Sequence, residues 1–294
     1  MRLDDESEST NYEIRSGSGG GFGLPIGIPL GRGGLGCGSI LILLVISLVF
    51  GINPLSLLGD GGGQGPMVQQ GSTPGEAPGS SGEKTPVISR SLKVLGSTER
   101  VWGRLFEEQG GTYRPTKLIF YRGGTQAGCG FANASAGPFY CPADKSMYLD
   151  TGFFDELASR HGAPGEFAQA YVIAHEVGHH VQDELGTLDK VHRAQQRLSE
   201  REANALQVKV ELQADCFAGV WAAQDKDLLE PGDAEAGLRA AAAVGDDTLQ
   251  KAGQGYVVPE GFTHGSAADR QKWLRIGLDS GDPARCDTFG SGGL

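Results

Sequence analysis

Ala174-His175-Glu176-Val177-Gly178-His179-His180 holds the residues best suited to chemistry. His175 and His179 are four residues apart, so on a helix both imidazoles face one side and can grip a single metal ion. Glu176 sits beside them, placed to handle the proton of a water. Such an H-E-x-x-H pattern is the zinc metalloprotease signature, with the two histidines as ligands and the glutamate as general base. The preceding Tyr171-Val172-Ile173-Ala174 is apolar, which puts the motif on a buried helix rather than a solvated one.

A hydrolytic zinc site takes three protein ligands and keeps one position open. His180 points about 100° away from His179 on a helix of 3.6 residues per turn. His161 precedes the helix. His192 follows His179 without the spacing of the three-histidine patterns. The better third ligand is Glu211, in Glu211-Leu212-Gln213-Ala214-Asp215. Glu211 and Asp215 again share a helix face. One carboxylate can bind the ion while the other accepts the free N–H of a ligand histidine. Their neighbours Cys216, Phe217, Ala218, Val220 and Trp221 are too apolar for a solvated face. His264, in Phe262-Thr263-His264-Gly265, and Arg270 are candidates to stabilise negative charge on a substrate oxygen, although His264 could equally cap the last helix. Tyr148 and Leu149 could line an extended peptide or simply pack in the core.

HEVGHHVQ and ELQADCFAGVW, with GPFYCPADKSMYLD upstream and FTHGSAADRQKW downstream, resemble the bacterial putative neutral zinc metallopeptidase family over roughly residues 87–290. The family's layout is similar to that of the gluzincins. The resemblance implies a zincin-like fold, Zn2+ as cofactor and a protein or peptide substrate. It also implies His175, His179 and Glu211 as ligands, Glu176 as base and Asp215 behind a ligand histidine. A membrane-anchored zinc endopeptidase is the leading expectation. A zinc-stabilised scaffold without turnover and a cell-wall peptide amidase are the alternatives. The intact Glu176 argues against the scaffold, which needs no base.

These residues must be positioned by the rest of a 294-residue chain with a formal charge of −11. No basic block accompanies that charge, which excludes nucleic acid as a partner. Of 48 glycines, 21 fall in residues 1–86, so the first third does not read as a globular domain. Residues 1–36 read as a disordered cytoplasmic tail. Residues 37–58, with the apolar run ILILLVISLVF at 40–50, read as a single transmembrane helix, about the 30 Å that spans a bilayer. Arg15 and Arg32 precede that run and no Lys or Arg follows until Lys84, which would keep the N-terminus inside and the catalytic domain outside the cell membrane. Residues 59–86 read as a Gly/Ser/Pro linker and residues 87–294 as the metallopeptidase domain.

Cys129, Cys141, Cys216 and Cys286 fall in that last region; the favoured disulfides are Cys129–Cys141 and Cys216–Cys286. A helix is expected from Ser97-Thr98 to Gly110-Gly111, and strands at Leu118–Tyr121 and Met147–Leu149. Further helices are expected to open at Pro164, to run unbroken from Gln195 to Gln224, to follow Pro231, and to cover Ser266–Leu278. The whole reads as an α+β domain, mainly helical, with a small β-sheet.

Overall fold

The computed structural model describes residues 1–15, 84–133, 136–160 and 165–290. The fold is mostly helical α+β with two small sheets. Strand β1 (Tyr12–Ile14) is followed by helix α1 (Pro86–Glu108), then β2 (Lys117–Tyr121), β3 (Gly124–Ala127), β4 (Gly130–Asn133), β5 (Phe139–Cys141) and β6 (Ser146–Asp150). The helices α2 (Phe153–Arg160), α3 (Glu166–Glu184), α4 (Thr187–Gln195), α5 (Glu200–Gln224), α6 (Asp233–Ala243), α7 (Asp246–Gln254) and α8 (Ala267–Ser280) complete it.

The main sheet has the order β1-β2-β6-β5, with β5 alone antiparallel. Alternation sends successive side chains to opposite faces. Leu118, Phe120, Met147 and Leu149 enter the main core with the helices, while Ile119, Tyr121, Tyr148 and Cys141 form a smaller core under the β3–β4 hairpin. The Cys129–Cys141 disulfide ties that hairpin to β5, and Cys216–Cys286 ties the C-terminal segment to α5. Both pairings are the favoured ones. Tyr148 and Leu149 lie on β6, inside the sheet: Tyr148 is paired on both sides, with Ile119 and Phe139, and Leu149 pairs with Phe120 of β2.

Helix α3 is buried on nearly every side, as an element running through a core must be. It crosses α5 where a Cβ on Gly178 would sit 2.9 Å from the Ala214 carbonyl oxygen. The partner crossing, α5 against α8, is closer still. A Cβ on Gly277 would land on the Cys216 carbonyl, and one on Gly219 on the Leu274 carbonyl. Only glycine lets these backbones touch.

Several expectations are corrected. The first helix begins at Pro86, capped by Thr85, so Ser97 and Thr98 lie buried inside it. The helix expected from Gln195 starts only at Glu200, because Gln195 closes α4 and Ser199 and Glu202 form a capping box that restarts the chain as α5. The fold preceded by a transmembrane helix does not stand. No helix among the described residues is long and apolar enough to cross a membrane, and residues 37–58 lie outside the described residues.

The single-pass localisation, with a cytoplasmic tail and an extracytoplasmic catalytic domain, meets a direct obstacle in residues 1–15. Strand β1 pairs in parallel with β2, Leu3 is buried, and the Ser9 amide donates to the Leu92 carbonyl at 2.9 Å. Gly96 admits this segment, since a Cβ there would meet the Ser7 carbonyl oxygen at 2.5 Å. The two ends of one domain lie on one side of any boundary, whereas a single crossing would separate them.

The α5–α8 contact yields a test. Gly277→Ala sets a methyl against backbone that no rotamer change can move, so it should cost at least the ~1–3 kcal/mol of an overpacked core. A thermal melt should show a clear fall in Tm; an unchanged Tm would mean that the helices are not in backbone contact.

Candidate metal centre

Two helices build the site. On α3, His175 and His179 face the same way, with ring centroids 4.8 Å apart. From α5, Glu211 Oε2 reaches 3.2 Å from His175 Nε2 and 3.5 Å from His179 Nε2. One ligand atom from each residue lies within 4.8 Å of the other two, a group able to hold a metal ion. His175 and Glu211 are buried and His179 nearly so.

The outer nitrogens of both rings are already engaged. His175 Nδ1 lies 2.9 Å from Asp215 Oδ1, and His179 Nδ1 lies 2.9 Å from the Gln182 amide oxygen. With the Nδ1 positions donating outward, both Nε2 lone pairs are left to face Glu211. Two imidazole nitrogens and one carboxylate oxygen, converging and oriented from behind, are the donor set that zinc takes in hydrolytic sites. The second oxygen of Glu211 accepts from the Gln207 side chain at 3.0 Å.

Asp215 is the hub behind the site. It is fully buried, and Arg270 on α8 grips it through Nε at 2.8 Å and Nη2 at 3.0 Å. The Tyr171 hydroxyl donates to it at 2.5 Å. The Arg270 guanidinium also donates to the Val244 carbonyl at 3.2 Å. Arg270 is thus committed to Asp215 rather than free for a substrate oxygen.

The charges are strongly coupled. Burial opposes ionisation of Asp215, but Arg270 and His175 outweigh it and hold the carboxyl at about 2. Burial likewise opposes the His175 charge, yet Asp215 and Glu211 push the ring up to about 10. Burial would raise Glu211, and the charge of His179 with the hydrogen bonds of both histidines holds it well below the usual carboxylate range. The cavity therefore favours an ionised Glu211 and positive charge beside it, which an ion between the three donors would supply in place of protons.

Glu176 is buried, and its carboxylate makes no hydrogen bond or ion pair among the described residues. Its charge is nonetheless felt by His179. His264 does not cap α8; Ser266 does. Asp246, the first residue of α7, accepts from the backbone N–H groups of Thr263, His264 and Gly265 at 2.7–2.9 Å and meets His264 Nδ1 at 3.2 Å. Gly265, at φ +94°, lies against Val208 and Leu212 of α5, where a Cβ would come within 3.2 Å of both. This loop brings His264 close enough to Glu211 that each shifts the other's ionisation.

Two further histidines stand elsewhere, and His161 lies outside the described residues. His180 turns away to the Arg114 carbonyl, at 2.6 Å, and the Tyr140 hydroxyl. His192 is exposed on α4 beside Gln196. Sequence reasoning missed Tyr171, Gln182, Gln207 and Asp246, and misplaced Arg270. Three of these sit one helical turn from a candidate ligand, Tyr171 before His175, Gln182 after His179 and Gln207 before Glu211, and that spacing is their signal in the sequence.

The model of the putative neutral zinc metallopeptidase family matches residues 1–289. The chain belongs to that family. It is 48% identical over 295 residues to the "Uncharacterized protein YpfJ" of Escherichia coli strain K12, covering 99% of each chain. It is 43% identical over 221 residues to the "Uncharacterized protein Rv2575" of Mycobacterium tuberculosis strain H37Rv, covering 71% of this chain and 72% of the other. No solved structure matches. Zinc is the family's metal, and a protein or peptide is the substrate that a peptidase family implies.

The geometry separates the candidate third ligands. Glu211→Ala should lower zinc content strongly, whereas His192→Ala should leave it at the parent value. Elemental analysis of the purified variants measures both; the reverse result would move the third ligand to His192.

Proposed function

We propose that this chain is a zinc endopeptidase in which His175, His179 and Glu211 hold the ion and Glu176 carries the proton. One observation supports this above the rest: the three donors converge with both outer imidazole nitrogens already bonded, while the adjacent Glu176 carboxylate is uncommitted. A structural metal site has no use for an uncommitted carboxylate beside its donors, whereas a hydrolytic one needs a base there.

Zinc, when bound, supplies a Lewis acid that polarises a carbonyl and lowers the pKa of a coordinated water to about 7. The protein's part is to place and move protons. Glu176 takes a proton from the attacking water and returns it to the departing amine. Asp215, kept ionised by Arg270 and Tyr171, holds His175 with its Nδ1 proton pointing outward. Against its burial, His264 is favoured as the imidazolium by Asp246 at Nδ1 and by Glu211, and in that form its Nε2–H is left to offer to negative charge developing on the substrate carbonyl oxygen.

Glu176→Gln keeps the shape of the side chain and every proposed ligand. It should retain zinc at the parent level while hydrolysis of a peptide library falls at least ~10²–10⁴-fold, the usual contribution of a general base. Parent-like turnover in this variant would remove Glu176 from the mechanism. Zinc loss would instead place it among the ligands.

A further inference from the structure

His175 and His179 are backed differently. Behind His175 stands a carboxylate neutralised by an arginine. Behind His179 stands Gln182, a neutral amide with no exposed surface. A buried glutamine presents an oxygen on one side and an NH2 on the other, and what surrounds it decides which way it faces. The Gln182 nitrogen donates to the Val210 carbonyl at 2.8 Å and to the Gln213 side-chain oxygen at 3.1 Å. A backbone carbonyl can only accept. Turning the amide over would set its oxygen against two acceptors and its NH2 against His179.

Gln213 is fixed in the same way. Its nitrogen donates to the Cys286 carbonyl at 2.9 Å, which leaves its oxygen toward Gln182. Cys286 is held in turn by the disulfide to Cys216, three residues beyond Gln213 on α5 and so on a neighbouring face. The polarity runs in one direction along the whole chain. The Cys286 carbonyl accepts from Gln213, Gln213 accepts from Gln182, and Gln182 accepts from His179 Nδ1–H.

We propose that Gln182 is a positioning residue for the metal centre, fixing His179 as the Nδ1–H tautomer with Nε2 toward the ion, and that Gln213 acts through Gln182 to keep that amide from turning. This rests on the reading of His179 as a zinc ligand. Neither glutamine touches the ion or the substrate. Their effect is to hold one ligand nitrogen in the bonding state, and partners of this kind are typically worth ~10–100-fold in metal affinity.

The test is zinc affinity of the full chain by competition with a chromophoric chelator. Gln182→Met, close in size but without an acceptor, should weaken zinc ~10–100-fold. Gln213→Met should weaken it severalfold in the parent and add nothing in the Gln182→Met background, since residues acting through one another are not additive. Melting of the metal-free proteins separates lost affinity from lost fold. A measurement on the unaltered chain needs no variant: nitrogen NMR of the zinc-loaded parent should show the His179 ring proton on Nδ1. A parent that binds no zinc would defeat the metal-site reading itself. A parent that binds zinc with the His179 proton on Nε2, or a Gln182→Met protein that binds as tightly as the parent, would overturn the role of Gln182 alone. Full additivity of the two substitutions would overturn the role of Gln213.

Discussion

The site depends on how closely α3 approaches α5. His175 and His179 leave α3 and Glu211 leaves α5, and a carboxylate on a short stem must reach both rings. Gly178, between the two histidines, removes the one Cβ that would hold the helices apart, so that the α3 backbone lies against Ala214. A methyl at Gly178 would have to displace the Ala214 carbonyl and Cα, both within 3.0 Å. The glycine of the motif is therefore a packing requirement as much as a spacer. The α5–α8 contact at Gly219 and Gly277 extends the same device and delivers Arg270 to Asp215.

Bringing these helices together buries charge, and the network around Asp215 shows how that cost is met. An isolated buried carboxylate is strongly disfavoured. Asp215 instead receives both nitrogens of the Arg270 fork, the Tyr171 hydroxyl and His175. Removing one member would strand the others, a loss of about 3–5 kcal/mol for a broken buried pair. The network links α3, α5 and α8 at a single atom group. The orientation of a proposed ligand is thereby tied to the packing of the three helices.

The parts of this arrangement that are local in the chain were legible from residues alone. The four-residue spacing of His175 and His179 has one meaning on a helix, and the apolar neighbours of Glu211 and Asp215 marked a buried pair of carboxylates. Arg270 was seen but given another task, because its partner is 55 residues away and only the α5–α8 crossing reveals it. Gln182 and Gln213 lie inside the HEVGHHVQ and ELQADCFAGVW stretches, but as uncharged side chains outside any ligand spacing they announce no role there. The break before α5 hid among good helix formers, although Ser199 and Glu202 have the spacing of a capping box. Strand β1 hid because residues 1–15 are polar and short of core residues. Their place is set by pairing with β2 and by the access that Gly96 allows, neither of which composition records.

The central claim is that one zinc ion binds between α3 and α5 on two imidazoles and one carboxylate. X-ray absorption at the zinc edge of the loaded protein tests it most directly. The expected spectrum has a first shell of nitrogen and oxygen only, at about 2.0–2.2 Å, with the outer-shell scattering of two imidazole rings. A sulfur shell at about 2.3 Å, or a shell without the imidazole pattern, would contradict it.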